Sequence, residues 1–153
     1  MSDSNIKERT NNVTGNVIAA IGAAVALLIQ IVYFNTIGLN NWIDGVVAGI
    51  VAGACILIGF KLGKGTYGKS FPIFLSFIAA VSVILGFTLG ITYLVYSMGG
   101  FTLGEAFLVF FDEYFFADIQ GTTLYHSQGI IDFIIAIGIA VLIVCGQYYY
   151  NKA

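Results

Sequence analysis

Trp42-Ile-Asp44-Gly45-Val-Val-Ala-Gly49-Ile-Val-Ala-Gly53-Ala-Cys55-Ile-Leu-Ile-Gly59-Phe-Lys61 sets glycines four residues apart inside an apolar run. A lysine turn follows, Leu62-Gly63-Lys64-Gly65-Thr-Tyr-Gly68-Lys69-Ser70. A second apolar segment, Phe71 to Ser97, repeats the spacing with Ser82, Gly86 and Gly90. Residues four apart share one face of a helix. A face of Gly and Ser lets two backbones approach closely, which is how helices pack in lipid. The two segments are therefore expected to fold back on each other as a membrane hairpin, with Gly45, Gly49, Gly53, Ser82, Gly86 and Gly90 as its packing surface.

The rest of the chain agrees with a membrane class. Only 9% of the residues are charged and 59% are hydrophobic, and the mean hydropathy is +0.94. A soluble domain carries about 25% charged residues. Four runs are long enough to cross a hydrocarbon core of about 30 Å: residues 16–34, 43–60, 71–97 and 129–150. The third, at 1.5 Å per residue, would be roughly 40 Å long and must tilt or project. Pro72 suits its first turn, where no backbone donor is needed. Tyr33, Phe34 and Trp42, and later Tyr148-Tyr149-Tyr150, read as interfacial anchors. Cys55 and Cys145 lie inside apolar runs and read as small apolar residues, not as a disulfide pair.

Residues 1–15 are polar and aperiodic and are expected to be a flexible tail. They include a sequon, Asn12-Val13-Thr14, which reads as chance on a cytoplasmic tail. A cleaved signal peptide is the competing reading of this end, with Lys7 and Arg9 before the apolar run and Ala24-Val25-Ala26 as the cleavage site. The run continues well past that point, which favours a retained span.

Orientation follows from the basic residues. Lys7 and Arg9 precede span one, Lys61, Lys64 and Lys69 separate spans two and three, and Lys152 follows span four. With four spans all six lie on one side, and basic residues stay cytoplasmic. Both termini and the lysine turn are thus expected inside, with the lysines at anionic lipid headgroups. Asp44, Glu105, Asp112, Glu113, Asp118 and Asp132 are expected outside.

Between spans three and four, Thr102 with Glu105 is a capping-box pattern. Residues 103–116 can be helical, with Glu105, Asp112 and Glu113 on one side and Leu103, Phe107, Phe110, Phe111 and Tyr114 on the other. This reads as an amphipathic helix lying at the interface with its aromatic face inward. Asp44 and Asp132 each fall in the first turn of a span, where an acid caps the helix and opposes its positive end.

Little chemistry is legible. Residues 17–34, 45–60, 71–97 and 133–151 lack ionisable Asp, Glu, Lys, Arg and His, which argues against a proton-coupled carrier. Gln30, Ser76, Ser82, Thr88, Thr92 and Gln147 are expected to bond between helices; a neutral solute path along Gln30, Thr88 and Thr92 is the sharper alternative. Asp112, Glu113, Asp118 and His126 have metal-ligand chemistry, but their spacing matches no ligand pattern and a solvated acidic face is expected. The glycines and lysines of residues 63–70 lack the spacing of a phosphate loop and follow a helix, not a strand. No catalytic residue, cofactor, metal or nucleic-acid partner is expected.

The order of these features resembles uncharacterised, glycine-rich four-span modules of bacterial membrane proteins. The likeness rests on the Gly/Ala-rich first span, Gly45-Val-Val-Ala-Gly-Ile-Val-Ala-Gly53 running into Gly59-Phe-Lys61, and Phe101-Thr-Leu-Gly-Glu-Ala-Phe107 before the last span. It implies a bacterial inner-membrane protein and supplies no catalytic residue. Such modules are often joined to a zinc ribbon, for which this chain lacks the cysteines.

The expected architecture is an antiparallel bundle of four transmembrane helices with an amphipathic interfacial helix between spans three and four. The expected role is a packing or interaction module, self-associating or serving a partner membrane subunit without catalysis. A small oligomeric channel or carrier for cations or a neutral solute is the alternative. An outer acidic cluster of Asp44, Glu105, Asp112, Glu113, Asp118, His126 and Asp132 is expected to form a vestibule that attracts cations or a basic partner. Cysteines replacing Lys64 and Lys152 should be labelled by impermeant maleimide from the cytoplasmic side only, and one replacing Glu113 from outside; outside labelling at position 64 reverses the orientation.

Overall fold

The computed structural model describes residues 3–37, 42–68, 71–115 and 128–152. The described residues form five α-helices: α1 (Asp3–Ile37), α2 (Trp42–Leu62), α3 (Phe71–Ser97), α4 (Leu103–Val109) and α5 (Gln128–Lys152). A π-helical turn, Phe110–Phe115, continues α4, and no described residue lies in a strand. Among the described residues four helices, α1, α2, α3 and α5, are long and apolar enough to cross a membrane. Together with the scarcity of charge, they support an integral membrane protein.

The first helix departs from the expected tail. It starts at Asp3 and runs 35 residues, roughly 52 Å at the α-helical rise. Its polar end is held by the lysine turn: Asn12 Oδ1 accepts hydrogen bonds from the Thr66 amide at 2.9 Å and the Thr66 hydroxyl at 2.6 Å. The asparagine of the sequon therefore has a structural task. Gly15, Gly63 and Gly65 make this contact possible, since a Cβ on Gly15 would lie 2.6 Å from Gly65 Cα and one on Gly63 would lie 2.6 Å from Gly15 Cα.

The expected pairing of α2 with α3 is not the main one. Each of α1 and α5 packs extensively against both α2 and α3, while α2 and α3 touch only slightly. The glycines go to these other partners. Gly45, Gly49 and Gly53 face α5, where added Cβ atoms would lie 2.6 Å from the Asp132 carbonyl oxygen, 2.6 Å from that of Ala136, and 3.0 Å from Ile143. Gly59 meets Ile18 of α1, and Gly22 of α1 meets the Cys55 backbone of α2. Gly86 lies under the Gln30 side chain and Gly90 under Phe34, both of α1, and Ser82 donates to the Ala23 carbonyl at 2.9 Å. Four-residue spacing identifies a face on which backbones can meet but does not say which neighbour covers it.

Small and large residues are sorted along the helices. Ala23, Ala26, Ala48, Ala52, Ala79, Ala136 and Ala140 are buried in the core. Aromatic clusters flank this alanine-lined stretch. Near the lysine turn, Phe71 contacts Phe60, Tyr67 and Tyr148 with ring centroids 4.8, 4.8 and 6.0 Å apart, and Lys152 Nζ lies 4.8 Å from the Tyr148 ring centroid. Toward the other end, Phe87 meets Phe34 at 4.9 Å and Phe133 at 4.8 Å, and Phe110 of the π-helical turn lies 6.3 Å from Phe133.

The glycines divide into two classes that one experiment separates. Gly22→Ala would press a methyl group into the Cys55 carbonyl, whereas a Cβ on Gly138 or Gly146 would meet nothing within 4 Å among the described residues beyond its own stretch of helix. In detergent, Gly22→Ala should lower stability by about 1–3 kcal/mol, the usual cost of overpacking. Gly138→Ala should be neutral or slightly stabilising, because alanine is the better helix former. Equal thermal shifts for the two variants would contradict the α1–α2 contact.

Candidate functional site

The outer acidic cluster divides in the folded chain. Asp44 and Asp132 are each only 1% exposed. Glu105 and Asp112 are exposed, and Glu113 belongs to the π-helical turn. Asp118 and His126 lie outside the described residues, as does Lys69. The expectation that Asp44 and Asp132 add charge to an outer vestibule is therefore corrected: their side chains are inside. The physical reason is the face that each occupies. Asp132 continues the row of Ala136 and Ala140, which is buried, and Asp44 immediately precedes Gly45, which rests on the Asp132 backbone.

This contact sets Asp44, in the first turn of α2, on a helix neighbouring that of Asp132, which lies just past the first turn of α5 and not within it as expected. The Tyr33 hydroxyl of α1 donates to Asp44 Oδ1 at 3.0 Å. Tyr33 is held in turn by the edge-on ring of Phe34, at 5.4 Å between centroids. Every Lys and Arg of the chain belongs to another region: the N-terminal part of α1, the α2–α3 connection with the last turn of α2, or the end of α5. Buried carboxylates in such surroundings have the chemistry to hold a proton or a cation. Among the described residues, no three His, Cys, Asp or Glu side chains converge as a metal-binding group.

Gln30 is the other polar group of interest. It is 1% exposed, and neither amide atom has a hydrogen-bond partner among the described residues. Its carbonyl oxygen occupies the place where Gly86 would carry a Cβ. Sequence spacing shows Gly86 as a small residue but not that the missing side chain is replaced by an amide from another helix. Of the residues of the expected solute path, Thr88 bonds to the Ile84 carbonyl of its own helix at 2.8 Å, and Thr92, four residues further along α3, is buried with no hydroxyl partner among the described residues. Ser76 approaches Cys145 Sγ at 3.8 Å across α3 and α5.

The capping box at α4 is present as expected. Glu105 accepts from the Thr102 amide at 2.7 Å and the Thr102 hydroxyl at 2.9 Å, and its own amide donates to Thr102 Oγ1 at 3.3 Å. The Thr102 backbone and side-chain bonds hold the Glu105 carboxyl below its ordinary value. The expected inward face is buried only in its later part, where Phe110 is in the core and Phe111 packs against it. Ala106 and Phe110 are buried, while Leu103, Phe107 and Leu108 are exposed. α4 docks on α3, and the π-helical turn that continues it reaches α5; those contacts orient the helix, not its polarity alone. A cleft of about 290 Å³ lies on its outer side, lined by Phe101, Glu105, Leu108, Val109 and Asp112.

No family model, curated protein or solved structure matches this chain.

The buried pair Tyr33–Asp44 offers a direct measurement. Tyr33→Phe removes a donor from a buried carboxylate and should cost about 1–3 kcal/mol. The same substitution on an Asp44→Leu background should cost much less, since the group it serves is gone. Equal costs in the two backgrounds would mean that the hydroxyl acts elsewhere.

Proposed function

We propose that this protein is a small polytopic membrane protein that works by association, as an interaction module or accessory subunit, without catalysis of its own. The pairwise contacts support an antiparallel four-helix bundle with α4 at its outer end. Residue numbers rise together along α1 and α3 and along α2 and α5, and run oppositely between α1 and α2 and between α3 and α5. Both termini are cytoplasmic on this reading, from the one-sided basic residues, and a bacterial inner membrane follows from the family resemblance.

The observation that carries the association reading is the surface beyond α3. Met98, Phe101, Leu103 and Leu108 are exposed there, 78%, 45%, 60% and 60% respectively, alongside the exposed carboxylates Glu105 and Asp112. Apolar side chains bordered by acids suit a partner with basic and apolar residues. A homo-oligomer through lipid-facing helix surfaces remains within the same reading.

The second reading is an oligomeric cation channel or carrier, and the buried positions of Asp44 and Asp132 favour it. Two assays separate the readings. If association governs, neutralising Glu105, Asp112 and Glu113 together should weaken capture of a co-purifying partner and reduce its salt dependence, since exposed charges act over about 8 Å at physiological ionic strength. Liposomes containing the protein should then show no cation flux. Flux that falls in Asp44→Asn or Asp132→Asn would instead establish the channel or carrier.

A further inference from the structure

We propose that the groove between α1 and α2 is a binding site for one anionic phospholipid. An acyl chain lies along the groove, and the headgroup is held by Lys61 and Lys64. The proposal rests on reading α1 and α2 as membrane spans.

The groove is lined by Ile18, Ile21, Val25, Cys55, Ile58 and Leu62, and encloses about 220 Å³. Its floor exists because Gly22 and Gly59 carry no side chains where the two backbones touch. From Ile18 to Val25 it runs roughly 10 Å along the helix axis. A groove that faces hydrocarbon is filled by lipid, because an empty slot forfeits dispersion contacts along its whole length. Its apolar lining alone selects no headgroup.

Selectivity comes from the end at Leu62. The chain leaves α2 there in a left-handed turn, with the Gly65 amide bonded to the Phe60 carbonyl at 3.1 Å and the Lys64 amide bonded to the Lys61 carbonyl at 3.0 Å. This is the Schellman arrangement, whose left-handed position is ordinarily glycine. Here it is lysine, at φ 55°, although glycines stand on both sides of it. Lys61 and Lys64 are both exposed, and in the chain they bracket Leu62, the lining residue at that end. Lys61 alone would be explained by the negative end of the α2 dipole. Lys64 lies past that end, in a conformation that favours a residue without a side chain. A long cationic side chain here matches a phosphate at headgroup depth.

The test uses tryptophan quenching by lipids brominated on the acyl chain. Trp42 is the only tryptophan, so Trp42→Phe supplies a dark background. Ile58→Trp reports from the groove wall. Leu142→Trp reports from the far side of α5, where Leu142 is 71% exposed. In phosphatidylcholine vesicles, brominated phosphatidylglycerol should displace phosphatidylcholine at Ile58→Trp with a relative affinity on the order of tenfold. No preference is expected at Leu142→Trp. The preference at Ile58→Trp should vanish in Lys61→Gln combined with Lys64→Gly, the latter chosen because glycine keeps the left-handed turn. A preference that survives loss of both lysines, or none at all in the intact chain, overturns the site. Absence of quenching at Leu142→Trp by either lipid overturns the reading of the helices as spans, and the site with it.

Discussion

Close backbone approach is the interaction on which the rest of this structure depends. Inside hydrocarbon, a leucine gains little by leaving lipid for another helix, so the drive that gathers helices in water is largely missing. What remains is dispersion between well-matched surfaces and the occasional interhelical hydrogen bond. Here the matching is done by absence. Gly45 against the Asp132 carbonyl, Gly22 against Cys55 and Gly59 against Ile18 are places where a single carbon would hold two backbones apart. Aromatic rings then fill the wider spaces on either side of the alanine-lined stretch. Phe71 and Phe87 make most of those ring contacts, and both belong to α3.

Close approach also accounts for the buried carboxylates. Because Gly45 lets the start of α2 touch α5 at Asp132, the neighbouring Asp44 is drawn inside along with Asp132. Neither acid is deep along its helix. Their burial is a lateral effect of helix contact, which explains why a rule based on depth in the span treats them as exterior. The tyrosine hydroxyl on Asp44 meets part of the cost of removing that group from water.

The existence of the long helices, and the extent of α3, were legible because hydropathy and glycine or proline boundaries act locally. α3 coincides with the expected 71–97, and the Thr102–Glu105 cap follows from two residues three apart. Helix partners were not legible. A row such as Gly86-x-x-x-Gly90 declares a thin face, but α1 covers it only because Gln30 and Phe34 have the sizes to fill it. The start of α1 is not legible, since Asn5, Thr10 and Asn11 carry no apolar period; Asn12 becomes a helix-docking residue only once Thr66 is brought to it from 54 positions away. At the site, the acids were visible as residue types, while their division into buried and exposed pairs depends on contacts between helices distant in sequence.

The length of α1 has a mechanical meaning. An unbroken helix from Asp3 to Ile37 behaves as a single rod, with a hydrogen bond at nearly every step, and roughly 20 Å of it exceeds the hydrocarbon thickness. Near the point of exit it is clamped by the Asn12–Thr66 bonds and the glycine contacts of the lysine turn. The polar end therefore acts as a short lever with its fulcrum at Gly15. The same unbroken helix carries Tyr33, and with it the bond to Asp44, at its opposite end.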